Sequence, residues 1–98
     1  MTYKLYVDDL RSPPDDTWVV CRTSEEAKQT IRDDGMPSFM SLDHDLGGED
    51  TIMLFLHWLA DEFYDLGAPP DYQVHSANPI GQQNIVSFLE SWKRSLSI

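Results

Sequence analysis

Short apolar segments that alternate with helix-forming segments constrain the fold of this chain more than any other feature of its sequence. Four apolar segments of three to five residues are interpreted as strands, at residues 5–7, 18–21, 38–42 and 72–74. Such alternation is typical of a parallel sheet whose strands are joined by helical crossovers, with helices covering both faces. The sequence therefore predicts a three-layer α/β domain with a mainly parallel, four-stranded sheet.

Three segments carry the signals of helices. The first begins at a capping box made by Thr23 and Glu26, and Gly35 is a natural end for it. The second, over residues 51–66, is the clearest, because its apolar residues recur at helical spacing. These apolar positions are Ile52, Phe55, Leu56, Leu59, Phe63 and Leu66. The third helix is predicted from an apolar stripe at Ile85, Phe88, Leu89, Trp92 and Leu96.

Length and charge limit the number of domains and the classes of partner. Ninety-eight residues make one domain of ordinary size, so residues 1–98 are interpreted as a single unit. Seven basic and 17 acidic side chains give a net charge of −10, which disfavours duplex DNA and anionic membranes as partners. The longest apolar run, residues 52–56, is far shorter than the roughly 20 residues that span a bilayer. With one cysteine and no export signal, the chain is expected to be cytoplasmic.

Polar residues follow three of the four predicted strands at the point where each strand ends. They are Asp8 and Asp9 after the first strand, Asp43, His44 and Asp45 after the third, and His75, Ser76 and Asn78 after the fourth. In open parallel sheets, ligands bind beyond the carboxyl ends of the strands. We therefore expect these residues to meet at one edge of the sheet. The alternative is that each acidic segment only forms a loop.

The acidic residues at this edge predict a metal site. Clustered carboxylates repel one another unless a cation lies among them, and a hard divalent cation prefers oxygen ligands. We expect Mg²⁺ or Mn²⁺ to be bound by Asp9 and Asp43. Asp8 is expected as a direct or water-mediated ligand, and Asp45 is a weaker candidate.

Two histidines at the same edge are candidate acid and base groups, because imidazole titrates near neutral pH. His44 is flanked by Asp43 and Asp45, whose charges favour a protonated imidazole, so it is predicted to be the general acid. His75 directly follows a strand that fixes its position, and it is predicted to be the base or a phosphate ligand.

Further residues at this edge suit the binding of a phosphate. Ser76, Asn78 and the backbone N–H groups that open the last helix are candidate phosphate ligands. Gly81 permits the tight entry into that helix and is also a candidate phosphate-binding residue. Arg11 can hold a non-bridging phosphate oxygen, although a salt bridge to a nearby aspartate (Asp15 or Asp16) is an equal alternative.

The chain resembles a two-component receiver domain, and more closely the family described as cyclic-phosphate-processing receiver domains. The closer resemblance lies in Asp-Asp-Leu-Arg-Ser-Pro-Pro at residues 8–14, Ser-Leu-Asp-His-Asp-Leu-Gly at 41–47 and His-Ser-Ala-Asn-Pro-Ile-Gly at 75–81. It runs from about Leu5 to Phe88 and implies a receiver-like (flavodoxin-like) fold with strand order 2-1-3-4. It also implies activity on cyclic phosphates, in settings of RNA repair or of phage and antiviral conflict.

Two features depart from ordinary receivers. No fifth strand carrying the receiver's lysine is visible, since Lys93 lies within the last predicted helix. Residues 10–17, which include two prolines, are predicted to form a loop where receivers have their first helix. These departures bear on the reaction more than on the fold.

Three functions from different classes fit this pattern. The first is a metal-dependent phosphoesterase, a hydrolase that opens a cyclic phosphate on a nucleotide or an RNA end. The second is a phosphoacceptor receiver with Asp43 as the acceptor, which the missing lysine weakens. The third is a non-catalytic module that binds a nucleotide or docks on a protein through its acidic surface. For the first function, the expected partner is a small phosphorylated ligand.

Overall fold

The computed structural model describes residues 2–96, except for the side chain of Leu66. The strands of this range are β1 (Lys4–Val7), β2 (Trp18–Cys21), β3 (Phe39–Leu42) and β4 (Asp71–Val74). The α-helices are α1 (Ser24–Asp34), α2 (Ile52–Phe63) and α3 (Pro79–Ser95). The helix expected over residues 51–66 is therefore shorter, and its last turn, Tyr64–Leu66, is a 3₁₀ helix.

The strands form one parallel sheet in the order β2-β1-β3-β4, as predicted. Val7 pairs with Cys21 on one side and Leu42 on the other, and Leu42 pairs with Val74. The ends of the strands are therefore level with one another. As a result, the polar residues that follow β1, β3 and β4 meet at one edge of the sheet.

The hydrophobic core lies between one face of the sheet and the helices. Successive side chains of a strand point to opposite faces, and every second residue of β1 and β3 enters this core. Its buried residues from the sheet are Leu5, Val7, Cys21, Met40 and Leu42, and those from the helices are Ala27, Ile31, Ile52, Phe55, Leu56, Leu59, Ile85, Leu89 and Trp92. Leu96, expected on the apolar stripe of α3, follows the end of that helix and is exposed.

The three helices lie in a single layer, which corrects the expected three-layer arrangement to two layers. α2 contacts both α1 and α3, and all three pack into the same core. The crossovers β2-α1-β3 and β3-α2-β4 run in the same direction across the sheet, and right-handed crossovers in one direction place their helices on the same face. The connection in the opposite direction, residues 10–17, is a loop that supplies no helix for the other face.

The opposite face of the sheet, here called the helix-free face, has a cluster of its own. Its residues, by strand alternation, are Lys4, Tyr6, Trp18, Val20, Phe39, Ser41, Asp71 and Gln73. Trp18 packs edge-on against Tyr6 and Phe39, with ring centroids 5.8 and 6.0 Å apart, and the Lys4 ammonium lies 4.5 Å from the Trp18 ring. Among the described residues, none of this set belongs to the main core.

The ends of the helices follow local capping chemistry. The Thr23 hydroxyl accepts a hydrogen bond from the backbone N–H of Glu26 at 3.0 Å, as the capping box predicts. The Glu26 carboxylate reaches back to the backbone N–H of Arg22, one residue before the expected partner. α3 is capped by Asn78, whose side-chain oxygen accepts from the Gly81 N–H. Within residues 2–96, no helix is both long enough and apolar enough to cross a membrane.

Two leucines on α2 test the position of the core. Leu56 is fully buried, whereas Leu54 is 53% exposed. Leu56→Ala is expected to lower the free energy of unfolding by about 2–5 kcal/mol, because it leaves a cavity in the core. Leu54→Ala, the matched control, should change it by no more than about 0.5 kcal/mol. Urea unfolding of both variants measures the difference, and equal losses would contradict the helix orientation described here.

Candidate metal centre

Three carboxylates converge at the edge where β1 and β3 end. Asp8, Asp9 and Asp43 each offer an oxygen atom, and these atoms all lie within 4.8 Å of one another. The backbone positions Asp8 and Asp43, because the hydrogen-bond ladder of the sheet continues one residue past β1 and β3. Asp8 N–H donates to the Cys21 carbonyl at 3.1 Å, and Asp43 N–H donates to the Val7 carbonyl at 3.0 Å.

The Asp8 carboxylate is fully buried and is bound by four donors. Its Oδ1 accepts from the backbone N–H groups of Leu10 and Arg11 at 2.8 and 2.9 Å. Its Oδ2 lies 2.9 Å from Nε2 of His75 and 3.1 Å from Nε of Arg11. A carboxylate offers about four lone-pair positions, so these contacts saturate Asp8. In this arrangement Asp9 and Asp43 have the oxygens that can bind a cation directly, whereas Asp8 would orient the set from its own hydrogen-bond network.

Asp8 and Asp43 differ in their electrostatic environment. Burial would raise the pKa of Asp8, but hydrogen bonds from the Arg11 and Leu10 backbone and from His75 bring that pKa below its ordinary value. Burial raises the pKa of Asp43, and the negative charge of Asp8 raises it further. Of the two, Asp43 is therefore the carboxylate whose charge is less compensated, and a divalent cation with oxygen ligands fits this position.

Arg11 is the cation that the chain itself supplies to this cluster. Besides its contact with Asp8, its Nη2 lies 3.6 Å from Oδ1 of Asp43, and its Nη1 donates to the His75 carbonyl at 3.0 Å. The contacts with Asp8 and Asp43 replace the alternative salt bridge to Asp15 or Asp16. The Arg11 side chain is 51% exposed, so it can reach a ligand while remaining beside the carboxylates.

An open cleft of about 390 Å³ lies over the cluster. Its lining residues are Asp9, Leu10, Arg11, Asp43, Asp45, Gly47, Gly48, Ser76, Ala77 and Asn78. Leu10 is 84% exposed at its rim. Gly47, beside Oδ2 of Asp9, has a φ of +93°, a backbone conformation that favours glycine.

His75 faces the carboxylate cluster from the side of the helix-free face. Its Nδ1 lies 2.8 Å from the Ser41 hydroxyl, and its Nε2 contacts Asp8. Its ring stacks on Tyr6 with the centroids 4.6 Å apart and an interplanar angle of 10°. Both ring nitrogens therefore already have partners within the protein. The described residues that line the cleft do not include His75.

His44 lies between β3 and the start of α3. Its Nδ1 lies 3.1 Å from Oδ1 of Asp45, and its side chain is 13% exposed. A Cβ on Gly81 would lie only 2.5 Å from Cγ of His44, so the imidazole fills the space that a side chain would need. Gly81 therefore permits the close approach of His44 to α3, which is a different role from the predicted phosphate ligand.

The remaining predicted residues divide between the cleft and the helix cap. Asp45 lines the cleft, but within residues 2–96 the carboxylate cluster does not include it. Its Oδ2 accepts from the Asn78 side chain at 3.2 Å, and hydrogen bonds from His44 and Asn78 lower its pKa. Asn78 also caps α3. Ser76 is buried beside Asp43 and accepts from the Asn78 N–H at 3.1 Å.

Sequence reasoning missed the residues that support His75. Ser41, Gln73 and Tyr6 lie on the helix-free face, and Gln73 donates to the Ser41 hydroxyl at 3.0 Å. The signal that could have identified them is Ser41 itself, a polar residue within the otherwise apolar and buried strand β3. Such a group has to find a hydrogen-bond partner, because burying an unpaired hydroxyl is unfavourable.

Comparison with known proteins identifies one family. A family model described as the cyclic-phosphate processing receiver domain matches residues 3–91, and this range contains all three motifs of the site. No curated protein and no solved structure gives a significant match.

Substitution of Asp43 by asparagine is expected to stabilise the metal-free protein at neutral pH. The raised pKa of Asp43 means that its charged form is disfavoured in the folded state, and this penalty disappears as the pH falls below the folded-state pKa. Asp43→Asn should therefore raise the free energy of unfolding in the presence of a chelator. The gain should vanish at strongly acidic pH.

The same substitution at Asp8 is expected to change the free energy of unfolding in the opposite direction. Its lowered pKa means that the charged form stabilises the fold above the unfolded-state pKa, and this stability is lost as the pH falls through the folded-state value. Asp8→Asn should lower the free energy of unfolding by about 3 kcal/mol, because it breaks a buried charged network. Urea unfolding at neutral and acidic pH measures both variants, and a common sign at neutral pH would contradict the electrostatics described here.

Proposed function

The chain belongs to the family of cyclic-phosphate processing receiver domains, and on that premise we propose that it is a metal-dependent phosphoesterase that opens a cyclic phosphate. The observation that carries the proposal is the convergence of Asp8, Asp9 and Asp43 beside Arg11 beneath an open cleft. Carboxylates alone would repel a phosphate. Together with a divalent cation and a guanidinium, they form a place where its negative charge can be held.

The expected cofactor is Mg²⁺ or Mn²⁺. When bound, such an ion neutralises phosphoryl oxygens and activates a water. Asp9 and Asp43 would hold it, and Asp8 would orient this set from its own network. Because the negative charge of Asp43 is only partly compensated within the protein, Asp43 is the ligand on which affinity for the ion depends most.

Arg11 would bind the phosphate itself. Its guanidinium already spans the space between the carboxylates and the cleft, and arginine pairs with a phosphate through two parallel hydrogen bonds. In the overall reaction, water adds to phosphorus and one bridging P–O bond breaks. The leaving oxygen takes a proton, so the product is a phosphomonoester with a free hydroxyl group.

The geometry divides the two histidines differently from the sequence prediction. His75 has both ring nitrogens engaged, so we propose that it holds Asp8 rather than transferring a proton. His44 keeps the proposed role of general acid for the leaving oxygen. Its imidazole contacts Asp45, and Asp45 lines the cleft, so this pair connects His44 with the proposed ligand site.

Two observations favour the other functions. Asp43 is buried at the end of β3 with the Ser76 hydroxyl beside it, which is the arrangement of a phosphoacceptor. Against that function, Lys93 lies far along α3, where it pairs with Glu90, and Arg11 is the cation at Asp43. The involvement of both imidazoles in contacts within the protein favours a binding module without catalysis.

We expect the protein to bind Mn²⁺ and to hydrolyse at least one member of a panel of cyclic phosphates. The panel comprises 2′,3′-cyclic ends, 3′,5′-cyclic nucleotides and cyclic oligonucleotides, and chromatography measures the products. Calorimetry with Mg²⁺ and Mn²⁺ measures the metal. Asp43→Asn should abolish the heat of binding and the turnover. Asp61→Asn, which removes the same charge from the exposed side of α2, should change neither.

Three outcomes would contradict this proposal. Equal heats for wild type and Asp43→Asn would remove Asp43 from the site. A stoichiometric, acid-stable adduct after incubation with acetyl phosphate would indicate a phosphoacceptor receiver. A nucleotide that is bound but returned unchanged would indicate the non-catalytic module.

Arg11→Gln is expected to change the two binding reactions in opposite directions. Affinity for Mg²⁺ should rise, because a positive charge beside Asp8 and Asp43 is removed. Affinity of the Mg²⁺-loaded protein for inorganic phosphate should fall about tenfold, since one charge-assisted contact is lost. Calorimetry measures both affinities. The matched control is Arg32→Gln, which removes an arginine of α1 that lies beside Trp58 of α2. A fall in both affinities would show that Arg11 supports the cluster rather than the ligand.

A further inference from the structure

A turn over residues 8–11 leads from β1 into the cleft, and charged side chains hold it from two sides. The Asp8 carboxylate accepts from the backbone N–H groups of Leu10 and Arg11 at 2.8 and 2.9 Å. Nη1 of Arg22 donates to the backbone carbonyl of Asp8 at 3.1 Å and also to that of Arg11. A carboxylate therefore binds N–H groups of the turn, and a guanidinium binds its first and last carbonyls.

The sheet and the first helix place Arg22 beside this turn. Arg22 directly follows β2, and the ladder between β1 and β2 includes the bond from the Asp8 N–H to the Cys21 carbonyl. The backbone N–H of Arg22 donates to the Glu26 carboxylate at 2.8 Å, so the first turn of α1 fixes this residue as well. A guanidinium has several N–H donors in a planar fork, and it can bind two carbonyls at once.

The turn carries two members of the proposed site, Asp9 and Arg11. Asp8 and Asp43 are positioned by backbone bonds of the sheet, whereas the placement of Asp9 and Arg11 depends on the shape of the turn. Asp9 contributes an oxygen to the carboxylate cluster, and Nη2 of Arg11 lies 3.6 Å from Oδ1 of Asp43. If the turn opened, both the Asp9 oxygen and the guanidinium would move relative to Asp43.

We propose that Arg22 is a positioning residue of the metal centre, which acts by closing the turn over residues 8–11. This role rests on the proposed function for the metal and extends the site to a side chain that is not among the described residues lining the cleft. Partners behind the ligands of a metal site orient those ligands, and their loss weakens metal binding. Without Arg22, two backbone carbonyls would need other acceptor contacts, such as water, and the turn would open more readily.

Substitution of Arg22 changes the charge near the site as well as the turn. Removal of its positive charge alone would raise the affinity for Mg²⁺, whereas a looser turn would lower it. Arg22→Lys separates the two effects, because lysine keeps the charge but has a shorter side chain without the planar fork. A fall in Mg²⁺ affinity in Arg22→Lys therefore reports the turn and not the charge.

Amide hydrogen exchange in the metal-free protein, measured by NMR, reports how readily the turn opens. In Arg22→Met, the exchange rates of the Leu10 and Arg11 amides should rise about tenfold relative to that of the Asp43 amide, because charged hydrogen bonds that close the turn are lost. The Asp43 amide donates to the Val7 carbonyl within the ladder and is the internal reference. A loss of global stability alone would raise all three rates equally.

The matched control for exchange is Arg32→Met, which removes an arginine of α1 that lies beside Trp58 of α2. It should leave the ratio of the exchange rates at the wild-type value. For Arg22→Lys, we expect a higher ratio than in wild type and a loss of about tenfold in Mg²⁺ affinity by calorimetry. The two quantities should change together, because both depend on closure of the turn.

The outcomes separate the role of Arg22 from the proposed function. An unchanged ratio of exchange rates in Arg22→Met would overturn this role, and so would wild-type Mg²⁺ affinity in Arg22→Lys when its ratio is raised. If Arg22→Met does not fold, an unchanged ratio in Arg22→Lys would overturn it instead. If wild type binds no Mg²⁺, the proposed function fails, while the exchange rates still decide whether Arg22 closes the turn.

Discussion

The buried carboxylate of Asp8 joins the parts of the molecule that make up the site. Its two oxygens bind the backbone of residues 10 and 11, the imidazole of His75 and the guanidinium of Arg11. Through these contacts it fixes the start of the loop after β1, the residue after β4 and the cation that reaches Asp43. A charged acceptor with four donors makes unusually strong hydrogen bonds in a buried place. The geometry of the cleft therefore depends on the ionised form of this one side chain.

Charge near the site is balanced unevenly, and that imbalance has chemical meaning. Asp8 is surrounded by hydrogen-bond donors, whereas burial and the negative charge of Asp8 disfavour the ionised form of Asp43. Arg11 offsets part of the negative charge from a half-exposed position, in a chain whose net charge is −10. A phosphate approaching this surface meets repulsion everywhere except beside a cation. The same arrangement that makes the metal-free site unfavourable is therefore the one that, under the proposed function, would select a ligand accompanied by a metal.

The pattern of apolar segments that end in polar residues was sufficient to predict the edge at which those residues meet, whereas the order of the strands came from the resemblance to receiver domains. It did not predict the number of layers. That depends on residues 10–17 being a loop and on the direction of each crossover, which local pattern does not reveal. Nor did it separate Asn78, a helix cap, from a phosphate ligand, because the same amide chemistry serves both. The contact between His44 and Gly81 joins residues distant in sequence and left no signal in the spacing.

The uncovered face of the sheet also affects how this domain can change over time. Residues that hold the site from that side, such as Ser41 and Gln73, make no part of the main core. Gln73 is exposed, so a substitution there costs little in packing, since the helices lie on the other side. At exposed positions of this face, a change near the site is therefore less constrained by the stability of the core. A small domain with one core can in this way diversify its ligand without first acquiring compensating mutations in its interior.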